Sequence, residues 1–171
     1  MKNRIYYLII FLAATSILVS CEKDDDNDDN NIIDPAYTFL DQVLQGEIEG
    51  EAWMLKAGSA NESWSDSTSL YVEMFAMESD NPCSDFDLDG NRVIFHVPFA
   101  PGLYELILDW TEDSQTITLF HDESGMNTVA TKGAVEIISI DEVNGVMEGR
   151  IAAEADVGNF VNGNFTINFC N

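Results

Sequence analysis

Positively charged residues are scarce in this 171-residue chain. It contains seven Lys and Arg against thirty-one Asp and Glu, which gives a formal net charge of -24 at pH 7. Such a surface repels phosphate backbones and anionic headgroups, and this excludes nucleic-acid binding through an electrostatic footprint. Divalent cations, basic proteins and neutral glycans remain as partners, although solubility alone also explains the acidity.

Residue patterns that mark enzymes are also missing. The two histidines, His96 and His121, lie in or beside predicted strands without metal-ligand spacing, and neither a G-x-S-x-G motif nor a phosphate loop is present. We therefore expect a protein that is not an enzyme. A hydrolase remains an alternative, because the two carboxylates of a glycosidase need only lie ~5 to 10 Å apart in space.

Cysteine occurs only three times, and the first, Cys21, is the most informative. It closes the run Leu18–Cys21, which follows a basic start with Lys2 and Arg4 and an apolar stretch over residues 5–18. The stretch is shorter than the ~20 residues needed to cross a bilayer, which disfavours a transmembrane helix. The arrangement resembles a bacterial lipoprotein signal peptide, cut before the cysteine. We expect Cys21 to be acylated and to anchor the protein in the outer membrane.

An acidic segment follows the cysteine. Residues 22–34 contain seven carboxylates and one lysine, and we expect them to form a solvated tether on the order of 20 Å long. The start of this segment resembles the export signal of surface lipoproteins from Bacteroidota, which implies display at the cell surface. A plain spacer on the periplasmic face is the alternative. The predicted organisation is a signal peptide at 1–20, a tether at 21–34 and one domain at 35–171.

The other two cysteines, Cys83 and Cys170, form an even pair once Cys21 is assigned to the anchor. Disulfides persist outside the cytoplasm, so we expect these two residues to be joined. The bridge would connect the C-terminal strand to a turn-rich segment in the middle of the chain. The alternative is a catalytic Cys83, which would need a neighbouring base.

Alternation of apolar and polar residues dominates the domain after Gly46. It predicts β-strands over residues 70–76, 92–97, 104–108, 116–120, 134–140, 146–152 and 164–169. Turn residues separate them, including Asn144-Gly145 and Asn162-Gly163. The predicted class is all-β, an antiparallel sandwich or alternatively a calycin-like barrel. Residues 34–46 also fit one short helix, with Asp34 as its N-cap, and a segment that leads directly into a strand is the alternative.

One predicted strand has apolar residues on both faces. Leu70, Val72 and Met74 occupy one face, and Tyr71, Phe75 and Met77 the other. A central strand covered on its second face explains this pattern. A closed cavity lined by Tyr71, Phe75 and Met77, holding a small apolar molecule, is the alternative.

The domain as a whole resembles a group of small Bacteroidota lipoproteins of unknown function. The resemblance covers residues 40–171 and depends on turn-and-strand segments such as Gly46–Trp53, Val97–Tyr104, Lys132–Ile137 and Val161–Phe165. It implies a β-sandwich or barrel. It supplies no active-site residues.

The best candidate metal site is the D-x-D-x-D-G run of Asp85, Asp87 and Asp89. This spacing places three carboxylates on one side of a tight turn, as in loops that bind Ca²⁺. His96 stands where an EF-hand has its bidentate Glu, so the run is not an EF-hand. An acidic hairpin loop without a metal is the alternative, and we expect no other cofactor.

Two tryptophans are candidate ligand-binding residues. Trp64 and Trp110 have polar neighbours near predicted loops, and an exposed indole beside carboxylates is a common platform for sugar rings. Capping of a core edge is the alternative for both. Trp53 lies in a strand-like run and is expected in the core.

The sequence therefore predicts a lipid-anchored, surface-exposed, non-catalytic binding or interaction lipoprotein. Its partners would be the outer membrane, through the anchor, and a glycan or a protein. A barrel carrier, a glycan hydrolase and an adhesive module with an exposed edge strand are the alternatives.

Overall fold

A computed structural model of the chain describes residues 37–84, 89–109 and 114–170. These residues form eleven β-strands and no helix, so none of them belongs to a helix able to cross a bilayer. The prediction of an all-β fold is confirmed. The strands are Gln45–Ile48 (β1), Glu51–Met54 (β2), Ala57–Glu62 (β3), Ser69–Phe75 (β4), Arg92–Pro98 (β5), Gly102–Glu105 (β6), Ile117–His121 (β7), Met126–Ala130 (β8), Lys132–Asp141 (β9), Val146–Asp156 (β10) and Asn159–Cys170 (β11).

All eleven strands belong to one curled, half-barrel sheet. The order is β6-β9-β10-β11-β3-β4-β5-β7-β8, and the hairpin of β1 and β2 pairs with the start of β11. Every pair of strands is antiparallel, as predicted, except β11 with β3, which are parallel over residues 168–170 and 59–61. Hairpin signals specify only pairs that are neighbours in sequence, so this long-range parallel pair has no signature in the chain.

The predicted helix over residues 34–46 is not formed by its described part. Residues 37–44 form neither a helix nor a regular strand and lie against β11: the Asn164 N–H donates to the Gln42 carbonyl at 2.7 Å, and the Leu44 N–H donates to the Asn164 carbonyl at 2.8 Å. Leu44 is fully buried, whereas Val43 is 57% exposed. Backbone pairing with β11 therefore overrides the weak helical pattern of this segment.

The predicted turn at Asn162-Gly163 was also wrong, for a related reason. Both residues lie inside β11, and the turn is five residues earlier, at residues 157–158. Gly163 has φ of 141°, and a Cβ there would meet the carbonyl oxygens of Gln42 and Val43 at 2.7 Å. Glycine inside a strand often marks the close approach of another backbone, and here it admits residues 42–44.

The core fills the concave face of the sheet. In β4, Leu70, Val72 and Met74 are fully buried on this face, while Tyr71 is half-buried on the outer face. The same alternation continues along β5, β7 and β11. The largest fully buried side chains are Leu44, Ile48, Leu70, Met74, Ile117, Leu119, Ile137, Met147 and Ile151. Strand periodicity thus assigns the two faces of β4 as predicted.

Gly133 gives a test of how tightly β9 packs against β10. Its φ is 120°, and a Cβ would collide with the backbone carbonyl of Ala152. Gly133→Ala should therefore lower the free energy of unfolding by about 3 kcal/mol, measured by urea denaturation. Gly125→Ala is the matched control, since Gly125 has a positive φ of 66° but open space around it, and it should cost about 1 kcal/mol. Equal losses in the two variants would contradict the predicted collision.

Candidate functional site

Several predicted site residues lie outside the described residues. These are Cys21 and Trp110 together with Asp85 and Asp87. Asp89 is described and exposed. Acylation of Cys21 and Ca²⁺ binding by the aspartate run therefore stay predictions.

The predicted disulfide is present. Cys83 and Cys170 are joined with a Cα–Cα distance of 5.6 Å, across a sequence separation of 87 residues. Cys170 ends β11 and pairs with Asn61 of β3, so the bridge ties the loop after β4 to the parallel strand pair. A thiol held in a disulfide is no nucleophile, and this removes the alternative of a catalytic Cys83.

Trp64 is wholly exposed, with a relative accessibility of 100%. It stands in the turn between β3 and β4, next to the outer face of the sheet. On that face Tyr71 of β4 and His96 of β5 are register partners, and their ring centroids are 5.2 Å apart. Trp64, Tyr71 and His96, with Ser63 and Ser65, line an open hollow of about 340 Å³, which we call the aromatic platform.

The turn that carries Trp64 is fixed by its own hydrogen bonds. The Ser63 N–H donates to the Ser69 carbonyl at 2.9 Å, which closes the turn. The Thr68 N–H and hydroxyl donate to the Asp66 carboxylate at 2.9 and 2.8 Å, and these bonds hold the pKa of Asp66 below its ordinary value. These hydrogen bonds fix the backbone on both sides of Trp64. The indole itself is fully exposed to water.

Hydrogen-bonding groups surround the apolar surface of the platform. Burial raises the pKa of Tyr71 above its ordinary value, and the nearby Glu73 carboxylate raises it further, whereas Arg92 lowers it. The phenol therefore stays protonated at neutral pH and can donate a hydrogen bond. The Ser63 and Ser65 hydroxyls are 3.2 Å apart, and each can donate or accept. The platform thus offers stacking surfaces with hydrogen-bonding groups at their edges.

Sequence reasoning identified Trp64 but not its two aromatic neighbours. The sequence pattern places Tyr71 on a second apolar face and His96 in a strand. The available signal was the alternation itself, which places Tyr71 and His96 on the outer faces of adjacent strands. Met77 is 41% exposed and Tyr71 lines the open platform, so a closed cavity lined by Tyr71, Phe75 and Met77 is not formed.

A second concave surface lies on the outer face around β11. A groove of about 560 Å³ has small residues and an exposed aromatic ring among its lining, including Gly133, Ala152 and Phe160. Its charged lining residues are Glu47, Lys132, Glu154 and Asp156. A neighbouring groove of about 450 Å³ shares Glu47, Phe160 and Asn162 with it.

Residues 37–42 lie beside both grooves. Asn162 accepts from the Leu40 N–H at 2.9 Å and donates to the Thr38 carbonyl at 2.8 Å. The Arg150 guanidinium, paired with Glu136, lies 4.4 Å from the Phe39 ring centroid. The Asn162 side chain therefore holds the backbone of residues 38–40 against β11.

Comparisons with known proteins leave the function to be argued from this geometry. No protein-family model matches the chain, and neither the curated proteins nor the solved structures contain a significantly similar one. Even a shared fold would not establish a shared function, since function depends on the chemistry of specific sites. The aromatic platform contains Trp64, one of the two tryptophans predicted to bind a ligand.

Proposed function

We propose that this protein is a non-catalytic binding lipoprotein outside the cytoplasm, and that its aromatic platform binds a neutral glycan. The observation that carries the proposal is the full exposure of Trp64 beside Tyr71 and His96. A large aromatic side chain left entirely in water on an ordered turn makes no contribution to the core. Trp and Tyr are enriched at binding interfaces, which supports a ligand-binding role for this surface.

A sugar ring matches this surface because it has an apolar face of C–H groups and a rim of hydroxyls. Covering about 100 Å² of apolar platform surface at ~25 cal/mol per Å² would contribute roughly 2.5 kcal/mol. Ser63, Ser65 and Tyr71 supply hydroxyl groups for the rim of the sugar. Stacking supplies affinity and the hydroxyls supply orientation.

The charge of the chain favours neutral over acidic glycans. The formal net charge is -24, and Asp66 stands two residues from Trp64 with its carboxylate held ionised by Thr68. A carboxylated or sulfated sugar would approach against this potential. None of the five residues that line the platform is a carboxylate, so the acid–base pair of a glycosidase has no members there.

Attachment through the N-terminus is compatible with an accessible platform. The first described residues contact Asn162, whereas β3 runs beside residues 168–170 and leads to Trp64. Asn162 and Cys170 are eight residues apart in β11, or roughly 25 Å. The platform is therefore distant from the segment at which the chain enters the domain.

Trp64→Ala should abolish glycan binding or weaken it by at least about tenfold, because loss of one stacking surface removes ~1.4 kcal/mol or more. The measurement is affinity gel electrophoresis of the full chain in gels containing mannan, xylan, β-glucan or starch. Trp64→Phe should keep part of the retardation. Phe160→Ala is the control, since Phe160 lies in the separate groove and is 41% exposed. The proposal fails if no polysaccharide retards the wild type, or if Trp64→Ala is retarded equally.

A further inference from the structure

A second cluster of chemically active side chains lies where the β1–β2 hairpin meets the β7–β8 hairpin. Glu51 begins β2, His121 ends β7, and Glu123 follows in the turn before β8. One ligand atom from each, the His121 ring nitrogen and two carboxylate oxygens, lie within 4.8 Å of one another. Glu51 and Glu123 are exposed, whereas His121 is only 8% exposed.

The buried nitrogen of His121 lacks a hydrogen-bond partner. Its Nε2 is buried and makes no hydrogen bond, although Glu51 Oε2 lies 3.4 Å away. A charge-assisted N–H···O bond would normally measure about 2.7 to 2.9 Å. Contact with Glu51 alone therefore leaves a buried polar atom unsatisfied, which is rare in folded proteins.

The other side of the His121 ring is held in place. Nδ1 lies 2.7 Å from Ser124 Oγ, and the Ser124 N–H is 3.3 Å from the same nitrogen. Because the Ser124 N–H donates to Nδ1, the proton of the neutral ring lies on Nε2, and metal binding at Nε2 would shift this proton to Nδ1, where Ser124 Oγ can accept it. Metal-binding histidines usually donate a hydrogen bond from the second ring nitrogen, and Ser124 Oγ lies within reach as the acceptor of such a bond.

The Glu51 carboxylate is oriented as well. The Asn91 side-chain amide donates to Glu51 Oε2 at 3.0 Å. Asn91 is itself fixed, because the Trp53 indole N–H donates to its carbonyl at 2.8 Å and its side-chain oxygen accepts from the Asp122 N–H at 2.9 Å. Two of the three potential ligands are thus positioned by neighbouring groups, and the third lies on an exposed turn.

We propose that Glu51, His121 and Glu123 form a Zn²⁺ site. In a tetrahedral site with bonds of about 2.0 Å, ligand atoms are separated by about 3.3 Å, which agrees with the 3.4 Å between His121 Nε2 and Glu51 Oε2. One imidazole with two carboxylates suits zinc better than Ca²⁺ or Mg²⁺, which prefer oxygen ligands alone. The two negative charges balance the cation, and a water completes the fourth position.

The position of this site gives the metal a structural effect. The two hairpins already contact each other through a hydrogen bond from the Thr128 hydroxyl to Glu49 at 2.9 Å. A bound Zn²⁺ would add a second link across the same seam of the half-barrel. Binding to the folded state alone raises stability by mass action, so saturating Zn²⁺ should raise the midpoint of thermal unfolding. The site is independent of the aromatic platform.

Titration calorimetry of the EDTA-treated full chain with ZnCl₂, at physiological ionic strength, is the direct test. We expect one site per chain that a large excess of Ca²⁺ does not displace. His121→Gln should weaken binding by at least about 100-fold, since even loss of a group that only orients a ligand costs 10 to 100-fold. Co²⁺ bound to the same site should show the visible absorption bands of tetrahedral coordination, and these bands should be lost in His121→Gln.

Two further variants test whether weaker binding comes from loss of the metal ligands, and not from misfolding or from the other histidine. Glu123→Gln changes an exposed turn residue, and it should weaken Zn²⁺ binding by about tenfold or more without altering the circular dichroism spectrum. His96→Gln removes the other histidine of the chain and should leave Zn²⁺ affinity unchanged. The proposal is overturned if wild type binds no Zn²⁺, or if both Glu123→Gln and His121→Gln bind as wild type does, which would assign the metal to other acidic residues.

Discussion

The free energy of unfolding of the double variant C83S/C170S is expected to be about 4 kcal/mol lower than that of wild type. The bridge closes a loop with a sequence separation of 87 residues, and the chain-entropy model gives a stabilisation of this size for such a loop. For a domain of this length the loss corresponds to a decrease in the thermal midpoint on the order of 15 °C. Urea denaturation of wild type and variant, followed by circular dichroism, measures the difference.

The place of the bridge in the sheet makes this loss more than an effect on the unfolded chain. Cys170 lies beside the parallel pair of β11 and β3, which comprises only residues 168–170 and 59–61. This short pair joins the β9-β10-β11 meander to the β3-β4-β5 meander. Without the bridge, we expect the end of β11 to open first, and hydrogen exchange at Phe169 should become faster than exchange at Ile151 in the middle of β10.

Reduction provides an internal control for this prediction. Wild-type protein whose disulfide is reduced under denaturing conditions should, after refolding, have the same lowered free energy of unfolding as C83S/C170S. The single variant Cys83→Ser leaves one thiol free and should match the double variant in monomeric form. A difference below about 1 kcal/mol between wild type and double variant would contradict the entropic account.

Sequence was sufficient for those parts of the fold that depend on neighbouring residues. Period-two alternation located β4 and β5 and assigned their buried faces, and the Asn144-Gly145 turn lies between β9 and β10 as predicted. Alternation arises because one face of each strand meets the core, and this constraint is visible within seven or eight residues. The pair of cysteines was equally readable because only one pairing remained.

The two errors at residues 34–46 and 162–163 involve contacts between distant parts of the chain. Residues 37–44 pair with β11, which is about 120 residues away, and Gly163 has no side chain because that segment passes over it. Read locally, the same residues look like a helix and a hairpin turn. Propensity is a weak signal, and tertiary pairing overrode it at both places.

The candidate sites also combine local features, which the sequence shows, with contacts between distant residues, which it does not. Trp64 could be proposed from its polar neighbours alone, but its place in one hollow with Tyr71 and His96 depends on the register of β4 with β5. The zinc ligands Glu51 and His121 are 70 residues apart and meet because the sheet curls. No spacing rule for metal ligands covers such a pair, so the absence of a local motif was weak grounds for discounting His121.

Cys21→Ala is expected to release the protein from the membrane. The run Leu18–Cys21 resembles a lipoprotein cleavage box, and acylation of the cysteine would supply two or three chains. A single acyl chain supports an association constant of only about 10⁴ M⁻¹, whereas several chains together anchor stably. Fractionation of cells expressing wild type should place the protein in the outer membrane. Mass spectrometry of that fraction should give a chain that begins at Cys21 with its acyl groups.

The variant C83S/C170S is the matched control, because it removes the other two cysteines of the chain and should remain membrane-bound if it folds. Loss of anchoring in Cys21→Ala alone would therefore assign the effect to acylation and not to the disulfide. A chain that retains Met1, or a Cys21→Ala variant that stays in the membrane fraction, would refute the anchor.

Protease treatment of intact cells then distinguishes the two orientations: degradation of wild type indicates surface display, and protection indicates the periplasmic face. Display would leave the Trp64 platform open to extracellular polysaccharide, whereas the periplasmic face would restrict its glycans to those inside the outer membrane.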